Sequence, residues 1–256
     1  MKHGDFTQLA QFYVDRPGYS TVLLNYIKAD VEGQFGKDIV VADVGAGTGK
    51  LTENLDQLGL HGFAVEPNDA MREQGMKLFG EKDSFTWIKG SAESTGLENN
   101  SVHWLLMGSS FHWADAEQAV PEFLRVLVPG GYFTAIWNPR DIQRSSLHME
   151  IEDMICTEVP NMKRVSSGGT VTTEQMLEKI GGGGAFENII FMECMHEEVM
   201  SKERYMNIWR SVNDIQVQAG ADGFQRILSN IDNILKNQDE ITVPYKSRAW
   251  TVRKTK

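Results

Sequence analysis

Between residues 38 and 140, strand-like segments are interleaved with helix-like ones, and this alternation limits the fold more than any other feature of the chain. "DIVVADVG" (38–45), "HGFAVEPN" (61–68), "SFTWIKGSAES" (84–94), "SVHWLLMGSS" (101–110) and "YFTAIWNP" (132–139) read as strands. The first is β-branched and nearly continuously apolar, the pattern of a strand covered on both faces. The helix-like pieces at 49–59, 69–79 and 116–131 lie between them. In 49–59, Leu51, Leu55 and Leu58 share one face and Gly59 suits a C-terminal cap. Such alternation predicts a parallel, doubly wound α/β sheet with right-handed crossovers.

The flanks differ. Residues 5–14 and 19–34 read as helices, with Asp5 or Thr7 as candidate caps, and "DRPG" (15–18) breaks them because Pro17 disfavours helix at Arg16. Residues 141–180 and 201–237 carry helical, polar patterns, and the glycine run 181–184 reads as a hinge or helix exit. Residues 185–199 are strand-like, and 239–254 end the chain as a strand pair or one long bent strand. The expectation is one domain, 1–256, with a Rossmann-like seven-stranded sheet whose last strand is antiparallel. Within it, 1–36 form an N-terminal helical lid, 37–140 the cofactor-binding core, 141–184 and 200–237 a helical cap, and 185–199 with 239–254 the final strands.

Directly after the first strand stands "VVADVGAGTGK" (40–50), with glycines at 45, 47 and 49. A phosphate loop needs Ser or Thr after its Gly-Lys, and Leu51 stands there. A dinucleotide fingerprint needs its third glycine where Lys50 stands. The pattern D-x-G-x-G-x-G, by contrast, is met in full by Asp43, Gly45, Gly47 and Gly49. Glycines there let a backbone approach a ligand closely. The second strand closes on Glu66, the place from which an acid binds ribose hydroxyls in dinucleotide folds. A solvated strand-end acid is the plainer alternative.

With these features, "KGSAES" (89–94), "GSSFHWAD" (108–115) and the "VLVPGG" turn (126–131) in the same order, the chain resembles the class I S-adenosylmethionine-dependent methyltransferases. "RPGY" (16–19) and "FHW" (111–113) make it similar to their small-molecule, type 11, trans-aconitate methyltransferase-like branch. The resemblance is strong over 38–140 and loose elsewhere. It implies S-adenosylmethionine as cofactor and methyl transfer to a small molecule, first of all to a carboxylate or hydroxyl oxygen. Transfer to nitrogen or carbon, or an inactive cofactor-binding regulatory module, are the alternatives. A nicotinamide oxidoreductase is disfavoured by Lys50.

The resemblance assigns cofactor contacts to Tyr13, Arg16, Asp43, Gly45, Ala46, Gly47, Gly49, Glu66, Pro67 and Ser109. Arg16 is expected to pair with the methionine carboxylate. In the adenine loop the common aspartate is replaced by Ser91, which leaves that contact to Ser91, Ala92 or Glu93. Acceptor contacts fall on Tyr19, His112, Trp113, Trp137, Asn138, Trp209 and Arg210. His112, just past the fourth strand, is the candidate general base, with packing of "FHW" as its bland reading. Displacement at an activated sulfonium requires alignment above all, so no fixed triad is expected.

Charge and composition narrow the partners. Net charge is −10, against a polyanionic partner. Hydrophobic residues make up 41%, enough for a substantial core. No stretch approaches a membrane span, and the start lacks a signal-peptide core. Cys156 and Cys194 form no CxxC pair and read as buried small hydrophobes in a reducing cytosol. The six histidines show no HxxxH or HExxH, so no metal site is expected, and "HMEIED" (148–153) reads as a solvated helix face. A cytoplasmic monomer or homodimer, with neither nucleic acid nor membrane as partner, is the resulting expectation.

Overall fold

The structure is a computed structural model that describes residues 9–80, 82–163, 168–180 and 184–255. The candidate caps Asp5 and Thr7 and most of the glycine run, 181–183, lie outside the described residues.

Seven strands form one sheet: β1 (Val40–Val44), β2 (His61–Val65), β3 (Phe85–Ile88), β4 (Val102–Gly108), β5 (Leu127–Trp137), β6 (Phe186–Ser201) and β7 (Glu240–Lys254), in the order β3-β2-β1-β4-β5-β7-β6. The first five pair in parallel, and β7 runs antiparallel to both β5 and β6. The expected seven-stranded, doubly wound sheet with its last strand antiparallel is therefore the fold observed. Strand order reverses between β1 and β4, so the chain leaves their carboxyl ends in opposite directions and opens a crevice there.

Strand periodicity divides the core in two. Ala42, Val44, Leu105, Met107, Phe133 and Ala135 point to one face; Val41, Trp104, Leu106, Tyr132 and Ile136 point to the other. The first face is covered by α5 (Ala116–Val126) and α7 (Thr173–Ile180), the second by α2 (Thr21–Phe35) and α3 (Lys50–Gln57). Between them Trp104 Nε1 donates to Thr134 Oγ1 at 2.8 Å, which satisfies a buried donor inside the sheet. A third apolar cluster joins α6 (Ser146–Glu158), α8 (Lys202–Arg210) and α9 (Asn213–Ile234) to the start of β7.

Several local readings are corrected. Of the two readings of the terminal segment, one long strand is observed: β6 pairs along 240–254 and β5 along Arg248–Arg253. β5 begins before the Pro-Gly-Gly turn rather than after it: Val102 pairs with Leu127 and Trp104 with Tyr132, so the turn is a bulge within the strand. The 201–237 stretch is two helices, and α9 is kinked where Gly220 takes φ +67°. "HMEIED" is not a solvated face, since His148 and Ile151 are buried. Cys156 is exposed rather than buried, and Cys194 is half-buried.

Two helix glycines have opposite expectations. In α2, Gly33 is exposed, and a Cβ there would meet nothing within 4 Å. Gly75, in α4 (Asp69–Phe79), is buried, and a Cβ there would run into the Trp87 indole. Gly33→Ala should therefore stabilise the protein by about 0.5–1 kcal/mol through helix propensity. Gly75→Ala should destabilise it by about 1–3 kcal/mol, because overpacking outweighs the same propensity gain. Urea unfolding of both variants checks this, and equal shifts of the same sign would contradict the close helix–strand approach.

Candidate functional site

The crevice at the carboxyl ends of β1, β2, β4 and β5 opens into a cavity of about 900 Å³. Its floor is the turn after β1. Gly45, Gly47 and Gly49 all take positive φ, +73°, +59° and +87°, a region glycine enters without steric cost. The Gly45 and Ala46 N–H groups both donate to Val65 O, at 2.8 and 3.0 Å, and Gly49 N–H closes the turn onto Ala46 O at 2.8 Å. A Cβ at Gly45 would stand 2.7 Å from Ser110 Oγ. Gly49 itself does not line the cavity; it starts α3 and lies against Trp87 and Phe79, so its role is in the turn.

Two carboxylates border this turn. The Glu66 carboxylate, 7% exposed, accepts Gly47 N–H on Oε2 and Asn68 N–H on Oε1, each at 2.8 Å. Burial raises its pKa, and the two amide donors oppose the rise. Pro67 follows it on the same wall. Asp43 lines the cavity floor though it is fully buried: Thr52 Oγ1 donates to its Oδ2 at 2.6 Å, and Oδ1 has no partner. Burial pushes the Asp43 pKa up to about 7, against the Thr52 hydroxyl and amide donors at the first turn of α3.

Beyond β3, Ser91, Ala92 and Glu93 line the cavity in the loop 89–94. Ser91 N–H donates to Ser94 O at 3.0 Å, and Glu93 Oε1 accepts Asp115 N–H at 2.9 Å, which ties this loop to the one after β4. In that second loop Trp113 lines the cavity and is 42% exposed. Ser109, at φ +53°, accepts the Tyr19 hydroxyl at 3.0 Å.

The N-terminal segment closes the opposite side. Tyr13, Arg16 and Tyr19 all line the cavity. Tyr19 N–H donates to Asn54 Oδ1 at 2.7 Å, Asn138 Nδ2 donates to Gly18 O at 2.8 Å, and Ser20 N–H donates to Ser247 Oγ at 2.8 Å. The Arg16 guanidinium is engaged by the protein: Nε and Nη2 donate to Ser211 Oγ and O, both at 2.9 Å, and the group lies 4.0 Å from the centre of the Tyr13 ring. It thus fastens the segment to the end of α8, a structural role with no counterpart in the sequence pattern.

Four acceptor-side residues are not where the sequence placed them. Trp137 is buried in the core and does not line the cavity; its Nε1 donates to His112 Nδ1 at 3.3 Å. His112 is also outside the wall. With Nδ1 accepting, the ring proton sits on Nε2, which has no partner. Burial, with the Lys179 charge beside it, brings the His112 pKa down to about 4. Trp209 is buried in the cap cluster, and Arg210 faces away and donates to Asn207 Oδ1 at 2.7 Å. Trp209 is core because its i, i+4 aromatic pair with Tyr205 packs inward. Of the residues expected on the acceptor side, Tyr19, Trp113 and Asn138 line the cavity.

The wall also holds residues that sequence reasoning missed: Arg140, Asp141, Glu152, Glu193, Asp214, Lys246 and Arg248. Some were legible in principle. Glu193 and Arg248 are cross-strand partners in β6 and β7, and an opposite-charge pair marks such register. Among the described residues no three His, Cys, Asp or Glu side chains cluster for a metal, and no helix is long and apolar enough to cross a membrane.

Taken together, strand order, glycine turn and strand-end acid define a Rossmann-like fold with its ligand crevice at the switch point. Residues 42–135 match the family model described as a methyltransferase domain. An uncharacterized methyltransferase of Mycobacterium tuberculosis is 42% identical over 101 residues, 40% of this chain and 40% of its own length. An uncharacterized methyltransferase of Schizosaccharomyces pombe is 26% identical across 94% of this chain and 95% of its own. Among solved structures, a candidate type II methyltransferase from Anaeromyxobacter dehalogenans superposes with a TM-score of 0.62 at 18% identity, covering 93% of this chain and 97% of that one. Residues 42–135 are thus similar to a methyltransferase domain, and the sheet has the Rossmann-like methyltransferase fold.

The buried Asp43 has a consequence for stability. Its folded pKa lies above the ordinary carboxylate value, so its ionisation favours the unfolded chain as pH rises from about 4 to about 7. Asp43→Asn, isosteric and neutral, should stabilise the unliganded protein by about 1–3 kcal/mol at pH 8 and by little at pH 4. Denaturant curves at the two pH values check this, and a pH-independent difference would contradict the burial of this charge.

Proposed function

We propose that the protein transfers a methyl group from S-adenosylmethionine to a small-molecule acceptor, at oxygen, with a carboxylate as the preferred acceptor. The observation that carries the cofactor reading is what Asp43 does to helix α3. In dinucleotide-binding folds the first helix after β1 presents its N-terminal amides to a pyrophosphate. Here the Asp43 carboxylate accepts from the Thr52 amide and hydroxyl in that first turn. A pyrophosphate seated there would meet this carboxylate and Glu66, with the Thr52 amide already engaged. The same charges suit a ligand that is cationic at one end and carries a ribose at the other.

The residues fit such a ligand. The orphaned Asp43 Oδ1 is a buried acceptor in need of a donor or a positive charge. The glycine turn admits close approach of a ligand, since side chains are missing where Ser110 and Met71 already crowd it. Glu66 has a free lone pair on each oxygen after its two amide bonds, which is the number a ribose diol requires. S-adenosylmethionine, when bound, supplies an electrophilic methyl group on sulfur. The chain's part is to orient, to exclude water with the N-terminal segment, and to stabilise positive charge through Asp43.

No proton acceptor is assigned to the transfer. His112 is held as a donor tautomer outside the wall, so it is not proposed as the base. A carboxylate acceptor is already ionised at neutral pH and needs none, which is the support for an oxygen acceptor of this kind and for the resemblance to the trans-aconitate methyltransferase-like branch. The proposal places the protein in the cytosol, as a monomer or homodimer acting on a free metabolite, without nucleic acid or membrane. Transfer to nitrogen or carbon, or cofactor binding without turnover, would emerge from product analysis.

Calorimetry should show micromolar binding of S-adenosylmethionine or its demethylated product, roughly −8 kcal/mol. Glu66→Ala should weaken it by about 2–3 kcal/mol with the fold retained. Because a cation beside Asp43 lowers its pKa, binding at pH 7 should release protons, seen as a dependence of the enthalpy on buffer ionisation, and Asp43→Asn should abolish it. Tighter binding of a nicotinamide dinucleotide would refute the assignment.

The role of His112 is checked separately. His112→Gln is expected to change turnover by less than about tenfold and to leave no histidine step in the pH–rate profile, whereas a working base would cost about 10²–10⁴-fold.

A further inference from the structure

The cations of the cavity wall are not equivalent. Arg248 Nε is paired with Glu193 at 3.0 Å, Lys246 lies 3.6 Å from Glu193 and 3.8 Å from Asp141, and Arg16 is engaged by Ser211. Arg140 differs. It follows the end of β5 and forms an isolated antiparallel bridge with Tyr245 of β7. It lines the cavity, half-buried, and among the described residues no salt bridge to it is found. Its guanidinium carbon stands 4.0 Å from the centre of the Trp209 ring and 5.8 Å from that of Tyr205.

Its surroundings are polar and unsatisfied. The Tyr205 and Tyr245 hydroxyls, Trp209 Nε1 and His148 Nε2 are buried without a well-formed hydrogen bond; Tyr245 has only a weak contact with Arg140, and Tyr205 one with Trp209. The Arg140 charge acts on both tyrosines and on His148. Tyr245, only 2% exposed, lines the cavity itself. Buried polar groups are nearly always satisfied, and a partly desolvated guanidinium without a counterion is costly. Of these groups only Arg140 and Tyr245 line the cavity, and an anion held there would meet both. Contact with the Trp209 ring holds the guanidinium in place, and a planar guanidinium suits two coplanar oxygens.

We propose that Arg140, seated on Trp209 and flanked by the Tyr245 hydroxyl, is the anion anchor of the acceptor subsite and holds a carboxylate of the substrate. The strand before Arg140, β5, is two places from β1 in the sheet, roughly 10 Å. The anchor thus lies across the crevice from the Asp43–Glu66 wall, on the side left for an acceptor. It rests on the methyl-transfer reading only for what the anchored molecule does. Trp209 then supports the acceptor site from beneath without touching the ligand.

The test is calorimetric titration, with and without S-adenosylhomocysteine, of small mono- and polycarboxylic acids, the matching primary amides, and phosphate monoesters. Carboxylates are expected to bind at least about tenfold more tightly than their amides. Arg140→Met should weaken their binding about 10–100-fold and Arg140→Lys less, because an ammonium keeps the charge but loses the planar fork. Both variants should bind S-adenosylhomocysteine like the parent, which shows that they fold. Carboxylate binding that depends on Arg140 in a protein that ignores S-adenosylhomocysteine would sustain the anchor and overturn the methyl-transfer reading instead. Amides binding as well as acids, phosphate monoesters preferred over carboxylates, no acid binding at all, or acids binding Arg140→Met as they bind the parent would each overturn the proposal.

Discussion

The Glu66 carboxylate is the joint on which the site depends. It leaves the end of β2 and takes the Gly47 amide on one oxygen and the Asn68 amide on the other, so the turn after β1 and the entry to α4 share one acceptor. Without it, two amides of the crevice floor would lack their partner. Burial opposes the charge and the paired donors favour it, with the Arg72 charge adding to their side. The geometry of the glycine turn, the course of the chain into α4 and the shape of the cavity floor all follow from that arrangement.

Asp43 works one layer deeper. It lies under the same turn and caps α3, yet one of its oxygens has no partner in the protein. A buried carboxylate with a pKa near 7 is a poor choice for stability. Such a group is what a cleft for a cationic ligand requires, and perturbed carboxylates concentrate at functional sites for that reason. The N-terminal segment closes over both acids through a continuous polar chain. Gly18 O meets Asn138, whose Oδ1 also accepts Ser247 Oγ–H, and Ser247 Oγ in turn receives the Ser20 amide. Residues from opposite ends of the chain thus meet above the sheet.

The half of the cavity proposed for the cofactor is legible in the sequence because it is local. Asp43 to Gly49 are contiguous, Glu66 ends a recognisable strand, and both periodicity and turn chemistry act over a few residues. The half proposed for the acceptor is not, because it is assembled from distant segments. Arg140 follows a strand-like pattern that stops at Asn138 and Pro139, and nothing local marks it as unpaired. Trp137 has the alternation of a site residue at a strand end, but the approach of α5 and the His112 turn to that face of β5 buries it. Trp209 and Arg210 sit on a helix whose inward face only the packing of α6 and α9 reveals. Arg16 carries the right charge for a ligand carboxylate, and its capture by Ser211, 195 residues away in sequence, has no sequence signal.

A crystal structure of the protein with S-adenosylhomocysteine tests the site most directly. Both ribose hydroxyls are expected within hydrogen-bonding distance of the two Glu66 carboxylate oxygens. The ligand's amino acid end should lie over the glycine turn toward Asp43, and the space between its sulfur and Arg140 should stay open. A ligand seated elsewhere, or one whose ribose makes no contact with Glu66, would contradict this assignment.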